Sequence, residues 1–297
     1  MEVAWKNEIF ESLLNKDISC ALEQKRNYIP KKLYRYRSVL TEENKYGRVS
    51  EILDGNIYLA HLKELNDPLE SRFLLSNDEK SIERLNEKLK KNEEYRKKLG
   101  NVDLTVFSSD MLKSLSEVIQ DFIEYKNLHY NELFRSTTKM ACFTTKPLNL
   151  PMWNHYASCH KGFCLEYDTD KMTTFLKNKL YPVLYVEKLP NLIDVLLSEK
   201  ARNFILFDLI ASQKLQDWSY EDEWRLLFNV GDFYFSENEV LEEFYNKGKL
   251  ISFIKPSKII LGMNIEERSK KDLEEMANIA NIPISQVKYT EYGLTIE

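Results

Sequence analysis

Met140–Asp168 reads MACFTTKPLNLPMWNHYASCHKGFCLEYD, and it holds three of the four cysteines, two of the four histidines and one of the four tryptophans. Apolar Met140–Phe143 predicts a strand that runs into Thr144 and Thr145. Pro147 and Pro151 then break the chain. Met152, Trp153, Tyr156 and Ala157 recur at helical spacing, so a short helix follows, and Gly162 stops it. Phe163, Leu165 and Tyr167 alternate as a second strand. A strand, a tight corner, an aromatic helix and a strand suit the wall of a pocket. A second block, Trp218–Arg225 (WSYEDEWR), reads as its partner, and the two blocks together are the candidate site.

Composition narrows the function class. The chain has 297 residues, 43% hydrophobic and 30% charged, as an ordinary globular protein does. A net charge of −5 gives no global attraction to nucleic acid or anionic lipid, although a local basic groove stays open. No apolar run approaches the roughly 20 residues of a membrane helix. The first ten residues, MEVAWKNEIF, carry charges through their apolar positions, unlike a signal peptide. Four cysteines are too few for a disulfide scaffold, and the expectation is a reduced cytoplasm.

The rest of the chain supplies the scaffold. Residues 3–26 predict one or two amphipathic helices. Leu33–Ser38 alternates as a strand with Leu33, Arg35 and Arg37 on one face, which places two arginines either in solvent or against an anion. Thr41 caps a helix that ends near Asp54-Gly55, and Asn56–His61 is the next strand. Asn66-Asp67-Pro68 is a sharp turn. Residues 77–135 read as a helical insertion, densely charged over 77–100. Further strands are expected at Tyr181–Val186, Trp224–Val230, Lys258–Leu261 and Val287–Thr290, with helices over Asn191–Leu215 and Ile265–Ala280. Strands separated by long helical segments predict an α+β fold around a mixed or antiparallel central sheet. We expect one domain over 1–297, with an N-terminal helical segment (1–30) and the insertion at 77–135. No Gly-rich strand-to-helix turn of the dinucleotide or P-loop type is present.

Chemistry concentrates in two places. His155, Cys159, His160 and Cys164 are crowded but match no two-pair zinc spacing, and no metal is expected. Glu221 and Glu223 share one face of an extended segment, with Asp222 on the other. Two carboxylates between Trp218 and Trp224 could stabilise a cationic sugar centre or hold a ribose hydroxyl. The plain alternative is a solvated corner in which Glu223 pairs with Arg225 or another arginine.

The set LYRYR, N-D-P, C-F-T-T, M-W-x-x-Y-A-x-x-H-K-G-F-C-L-E-Y-D and W-x-Y-E-x-E-W-R resembles the bacterial domain-of-unknown-function family 2971, over about residues 32 to 262. That family label carries no activity. The order of features is also similar to ADP-ribosyltransferases of the Arg–Ser–Glu type. That likeness implies an ADP-ribosyltransferase-like sheet, with NAD as substrate and ADP-ribosyl transfer to a protein or nucleic-acid acceptor, in a bacterial toxin or anti-phage effector. It implies Glu223 and Glu221 as catalytic carboxylates and Arg37 (or Arg35) as the orienter of the dinucleotide phosphates. Thr144 and Thr145 stand for the middle motif, and Arg225 adds a further cation at the cofactor site. Trp153 or Tyr156 would stack on nicotinamide. The middle motif is Cys-Phe-Thr-Thr where the type has Ser-Thr-Ser, and the charged insertion is foreign to it. Two other readings stay open. One is a nucleic-acid-directed defence protein that uses Arg35, Arg37, Lys161 and Arg225 as a phosphate-facing patch. The other is a binding module without chemistry, which burial of Glu221 and Glu223 in ion pairs, with no open cleft, would favour. The enzyme reading expects Arg37, Thr144, Tyr156 and Glu223 to converge on one concave site.

Overall fold

The structure, a computed structural model, describes residues 2–15, 18–74, 131–132, 134–191, 205–233 and 245–297. The insertion expected at 77–135 lies almost wholly outside the described residues. The strands are β1 (Lys32–Arg37), β2 (Asn56–His61), β3 (Thr138–Thr144), β4 (Phe163–Asp168), β5 (Leu180–Pro182), β6 (Leu184–Val186), β7 (Gln213–Leu215), β8 (Glu223–Asn229), β9 (Lys249–Ser252), β10 (Lys258–Leu261), β11 (Ile284–Thr290) and β12 (Gly293–Ile296). Among the described residues ten of them form one sheet in the order β12-β11-β10-β4-β1-β3-β2-β9, with β8 on β3 and β5 on β8. β10 and β11 run parallel, and the other pairs of this sheet are antiparallel. The fold is therefore α+β with a large mixed sheet, as expected.

β3 is the branch point. β8 pairs along its full length, Thr138↔Asn229 to Thr144↔Glu223. The other edge of β3 is divided: Lys139 and Met140 meet β2, and Thr144 meets Tyr34 of β1. This division brings the C-terminal end of β3, the start of β8 and the middle of β1 side by side, and it positions the site.

The two faces of the sheet bury different cores. On the first face Leu33, Ile57, Phe143, Leu165, Tyr167, Trp224 and Leu226 pack with Leu273, Met276 and Ala277 of helix Glu267–Ala280. On the second face, Tyr36, Trp153, Cys164 and Ile260 form one cluster. Met140, Tyr181 and Leu227 form another with Ile9, Phe10 and Leu13 of helix Glu2–Asn15. Neighbours along a strand alternate between faces, so Arg35 and Arg37 share the first face with Leu33 while Glu223 and Arg225 share the second with Leu227.

Local sequence explains the elements near the site. Thr41 caps helix Glu42–Val49, and its partner in the reciprocal capping pair is Asn44. Asn149 caps helix Leu150–Tyr156 by accepting the Met152 N–H at 3.1 Å, and Pro151 sits in the first turn, where no intrahelical donor is lost. Ser158, Cys159 and His160 then take left-handed φ values of 48°, 53° and 66°, which folds the chain back onto β4. At Gly162 a Cβ would stand 2.1 Å from the Arg37 carbonyl oxygen, so that corner admits only glycine.

Three expectations need correction. The helix expected over Asn191–Leu215 is described as Ile205–Ala211, and Gln213–Leu215 is strand β7 paired with β6. Residues 192–204 lie outside the described residues. The expected strand Tyr181–Val186 divides at Val183, with β5 on the main sheet and β6 on β7. β9 and β12 were not expected: each has four residues, a length at which alternation is barely visible.

Candidate functional site

Glu223 lies on the second face, at the start of β8, beside Thr144. Its carboxylate is held twice by Arg225, Nε to Oε1 at 2.9 Å and Nη2 to Oε2 at 3.1 Å. Lys214 Nζ adds a contact at 3.2 Å to Oε2. Lys214 also reaches Glu221 Oε2 at 2.7 Å. Glu70, just after the Asn66-Asp67-Pro68 turn, closes the network on Arg225 Nη1 at 2.8 Å and lies 3.6 Å from Lys214. Three carboxylates and two cations thus share one buried cluster. Among the described residues no group of His, Cys, Asp and Glu side chains is arranged to hold a metal ion.

The two glutamates part company chemically. Burial would raise Glu223, but Arg225 and Lys214 outweigh it and hold this carboxyl well below the ordinary carboxylate range. Burial and the Glu223 charge push Glu221 the other way, up to about 7, with Lys214 opposing. The remaining oxygen of Glu221, Oε1, accepts the Tyr156 hydroxyl at 2.6 Å. Tyr156 in turn accepts from Asn66 Nδ2 at 3.2 Å. Asn66 is exposed and Tyr156 is half-buried, so this chain of bonds leads from the buried cluster to the surface.

An aromatic row borders that opening. Tyr156 and His155 have ring centres 6.3 Å apart, His155 and Tyr220 6.5 Å, and Tyr220 and Trp218 6.1 Å. Lys214 Nζ lies 4.6 Å from the Trp218 ring centre, so the end of the row is tied to the buried cluster. Asn149, which caps the aromatic helix, also donates from Nδ2 to the Tyr220 carbonyl at 2.6 Å. The two sequence blocks therefore do meet, through Asn149–Tyr220 and Tyr156–Glu221. Clefts of about 330 and 340 Å³ lie elsewhere on the surface, and neither is lined by Tyr156, Glu221 or Glu223.

The structure brings some expected site residues together and separates others. Thr144, Tyr156, Glu221, Glu223 and Arg225 gather on the second face. The Thr144 hydroxyl donates to the Glu221 carbonyl and accepts the Lys146 N–H at 3.0 Å, which fixes the corner before the aromatic helix. Thr145 donates to the Asp222 carboxylate. Asp222 takes a left-handed φ of 44°, so Glu221 and Glu223 reach Lys214 across a tight corner instead of along an extended segment.

Arg35 and Arg37 do not join them. They point to the first face, where Arg37 and the Tyr167 hydroxyl both bond Glu51 Oε1. The expected convergence of Arg37 with Thr144, Tyr156 and Glu223 therefore fails, because the alternation of β1 sends Arg37 through the sheet. Trp153 cannot stack on a ligand: it is 0% exposed, edge-on to Tyr36, stacked on His160, and bonded through Nε1 to the Pro147 carbonyl. Arg225 is likewise 0% exposed and serves the network, not a cofactor. The single patch of Arg35, Arg37, Lys161 and Arg225 is not formed either, since Arg35 and Arg37 turn to the first face and Arg225 to the second.

Sequence reasoning missed Lys214, Glu70 and Asn66 as site residues. Lys214 was hidden in an expected helix. Asn66 sits in an Asn-Asp-Pro turn, whose ordinary chemistry Asp67 performs by accepting the Leu69 N–H at 2.8 Å.

Residues 152–226 match the model of a family described as Protein of unknown function (DUF2971). Neither the curated proteins nor the solved structures give a match. The matched segment runs from the aromatic helix to the middle of β8 and carries Tyr156, Lys214, Glu221, Glu223 and Arg225. Over this site-building stretch the chain is similar to the DUF2971 family of proteins of unknown function.

Proposed function

We propose that the chain binds a nucleotide against the Trp218–Tyr220–His155–Tyr156 row and breaks its glycosidic bond beside Glu221. NAD is the substrate, and the ADP-ribosyl group passes to a protein or nucleic-acid acceptor. The observation that carries this reading is the Glu221 carboxyl, with one oxygen on Lys214 and the other on half-buried Tyr156. A base poised near neutral pH suits proton transfer at pH 7. In the reaction the ribose C1′–nitrogen bond breaks, nicotinamide leaves with the electron pair, and the acceptor atom bonds to C1′. Glu221 accepts the acceptor's proton, and its negative form faces the cationic sugar centre. Glu223, fully engaged by Arg225 and Lys214, holds Lys214 in place and keeps Glu221 poised. Arg37 has no part in this site.

The test is incubation with labelled NAD and cell extract, comparing wild type with Glu221→Gln and Tyr156→Phe. Nicotinamide release and label transfer in wild type, reduced about a hundredfold or more in Glu221→Gln, is the expected result for loss of a general base. No release by folded wild-type protein overturns the reading. A binding module without chemistry is the second reading, favoured by one observation: Glu221 and Glu223 are both closed in ion pairs with Lys214 and Arg225. Saturable NAD binding without nicotinamide release assigns the site to it.

A further inference from the structure

The first face of the sheet holds a second charge cluster, and its charges do not balance. Arg35 and Arg37 of β1 and Arg48 of helix Glu42–Val49 converge on one carboxylate, Glu51. Arg37 Nη2 bonds Glu51 Oε1, Arg35 Nη1 stands 3.8 Å from the same oxygen, and Arg48 Nη1 is 3.5 Å from Oε2. The Tyr167 hydroxyl also donates to Oε1 at 2.7 Å. Three guanidinium groups against one carboxylate leave an excess of two positive charges, where Arg35 and Arg37 are each only 8% exposed.

The hydrogen bonds are also incomplete. Arg35 Nη1, Arg37 Nε and Arg48 Nε are buried donors without a hydrogen-bond partner. Buried donors are satisfied in the great majority of cases, and a guanidinium does not escape by losing its proton at ordinary pH. Burial and then Arg37 push Arg35 down to about 10 and Arg48 down to about 9, and both stay charged at neutral pH. Other charges on the neighbouring helices do not help. Lys45 is paired with Asp272 at 3.1 Å, and Arg268 with Glu42 at 3.3 Å.

We propose that Arg35, Arg37 and Arg48 form a binding site for a phosphate group, on the face of the sheet opposite Glu221. A phosphate dianion matches the excess of two charges, and its oxygens suit the planar donor forks. Arg48, whose side chain is 19% exposed, is the way in from solvent. The site stands apart from the reading of Glu221, because failure of NAD turnover leaves its charge imbalance untouched.

Inorganic phosphate is the probe, titrated into the full chain by calorimetry and thermal unfolding against chloride at equal ionic strength. The expected result is saturable binding and a raised Tm. Affinity falls about tenfold or more in Arg48→Gln, the loss of one charge-assisted bond. Arg268→Gln, on an exposed helix face nearby, keeps the wild-type affinity. If Arg48→Gln does not fold, equilibrium dialysis of labelled phosphate with wild type decides. Label displaced by phosphate and not by chloride supports the site, and no retained label overturns it. Equal Tm shifts in phosphate and chloride, or unchanged affinity in folded Arg48→Gln, overturn it too. Adenosine monophosphate separates the sources: competition assigns the site to a phosphoester, and absence of competition to the free ion.

Discussion

Arg37 and Glu223 point away from each other through one sheet, Arg37 to Glu51 on the first face and Glu223 to Arg225 on the second. Each has its own counter-ion, so neither needs the other. The pairing that a linear order of Arg, Thr and Glu motifs suggests is therefore replaced by two separate clusters. One is short of negative charge, around Glu51. The other gathers three carboxyl groups around Lys214 and Arg225.

The Glu51 cluster governs acid stability. Burial alone would raise Glu51, but Arg37, Arg35 and Arg48 outweigh it and hold it at about 2, below its ordinary 4.5. A depressed folded value contributes stability above the ordinary pKa and loses it as pH falls toward 2. Glu51→Gln should therefore destabilise the chain at pH 7 by about 3–5 kcal/mol, the effect of leaving buried charge unpaired. It should also flatten the loss of stability between pH 4.5 and 2. Urea unfolding across this range checks both. A loss below about 1 kcal/mol at pH 7 would show that the arginines are already neutralised by something else.

Glu221 behaves in the opposite sense. Its folded value is raised to about 7 from 4.5, by burial first and then by Glu223. Its favourable contribution is complete below pH 4.5 and disappears as pH rises through about 7. Glu221→Gln should therefore gain on wild type as pH rises from 4.5 to 7, by roughly 2–3 kcal/mol over the window. The comparison is of the two denaturant midpoints, converted to free energy, against pH. Parallel profiles would mean that Glu221 ionises normally.

The two tryptophans of the site blocks should separate stability from binding. Trp153 is fully buried between Tyr36 and His160, and Trp153→Ala should cost about 3–5 kcal/mol. Trp218 is half-buried at the end of the aromatic row, and Trp218→Ala should cost under about 1.5 kcal/mol while weakening NAD binding about tenfold, as loss of one stacking partner does. Thermal unfolding and calorimetric titration with NAD check the pair. Unchanged NAD affinity in Trp218→Ala would remove the aromatic row from the binding site.

The strands were legible because their residues alternate or run apolar over six or seven positions, as in LYRYR, NIYLAH, FCLEYD and EWRLLFN. The short helix was legible from Asn149, Pro151 and the Met152–Trp153–Tyr156 spacing. The meeting of the two site blocks was also readable in outline. The face on which each side chain emerges was not. Alternation fixes faces within a strand, but which face of β1 matches which face of β8 is set by register across β3, a tertiary fact. Lys214 was invisible for a different reason. Three residues of β7 after an apolar helix carry too little periodicity to reveal a change of structure. Glu70 follows a turn, where polar residues are ordinary, and only its contact with Arg225 marks it.

The claim that Glu221 is the working carboxyl is tested most directly by a pH titration of carboxyl carbons in glutamate-labelled protein by NMR, wild type against Glu221→Gln. One carboxyl should titrate near 7 in wild type and be missing from Glu221→Gln, while Glu223 stays ionised to well below the ordinary carboxylate range. A Glu221 signal that titrates near 4.5, with no carboxyl titrating near neutrality, would contradict it.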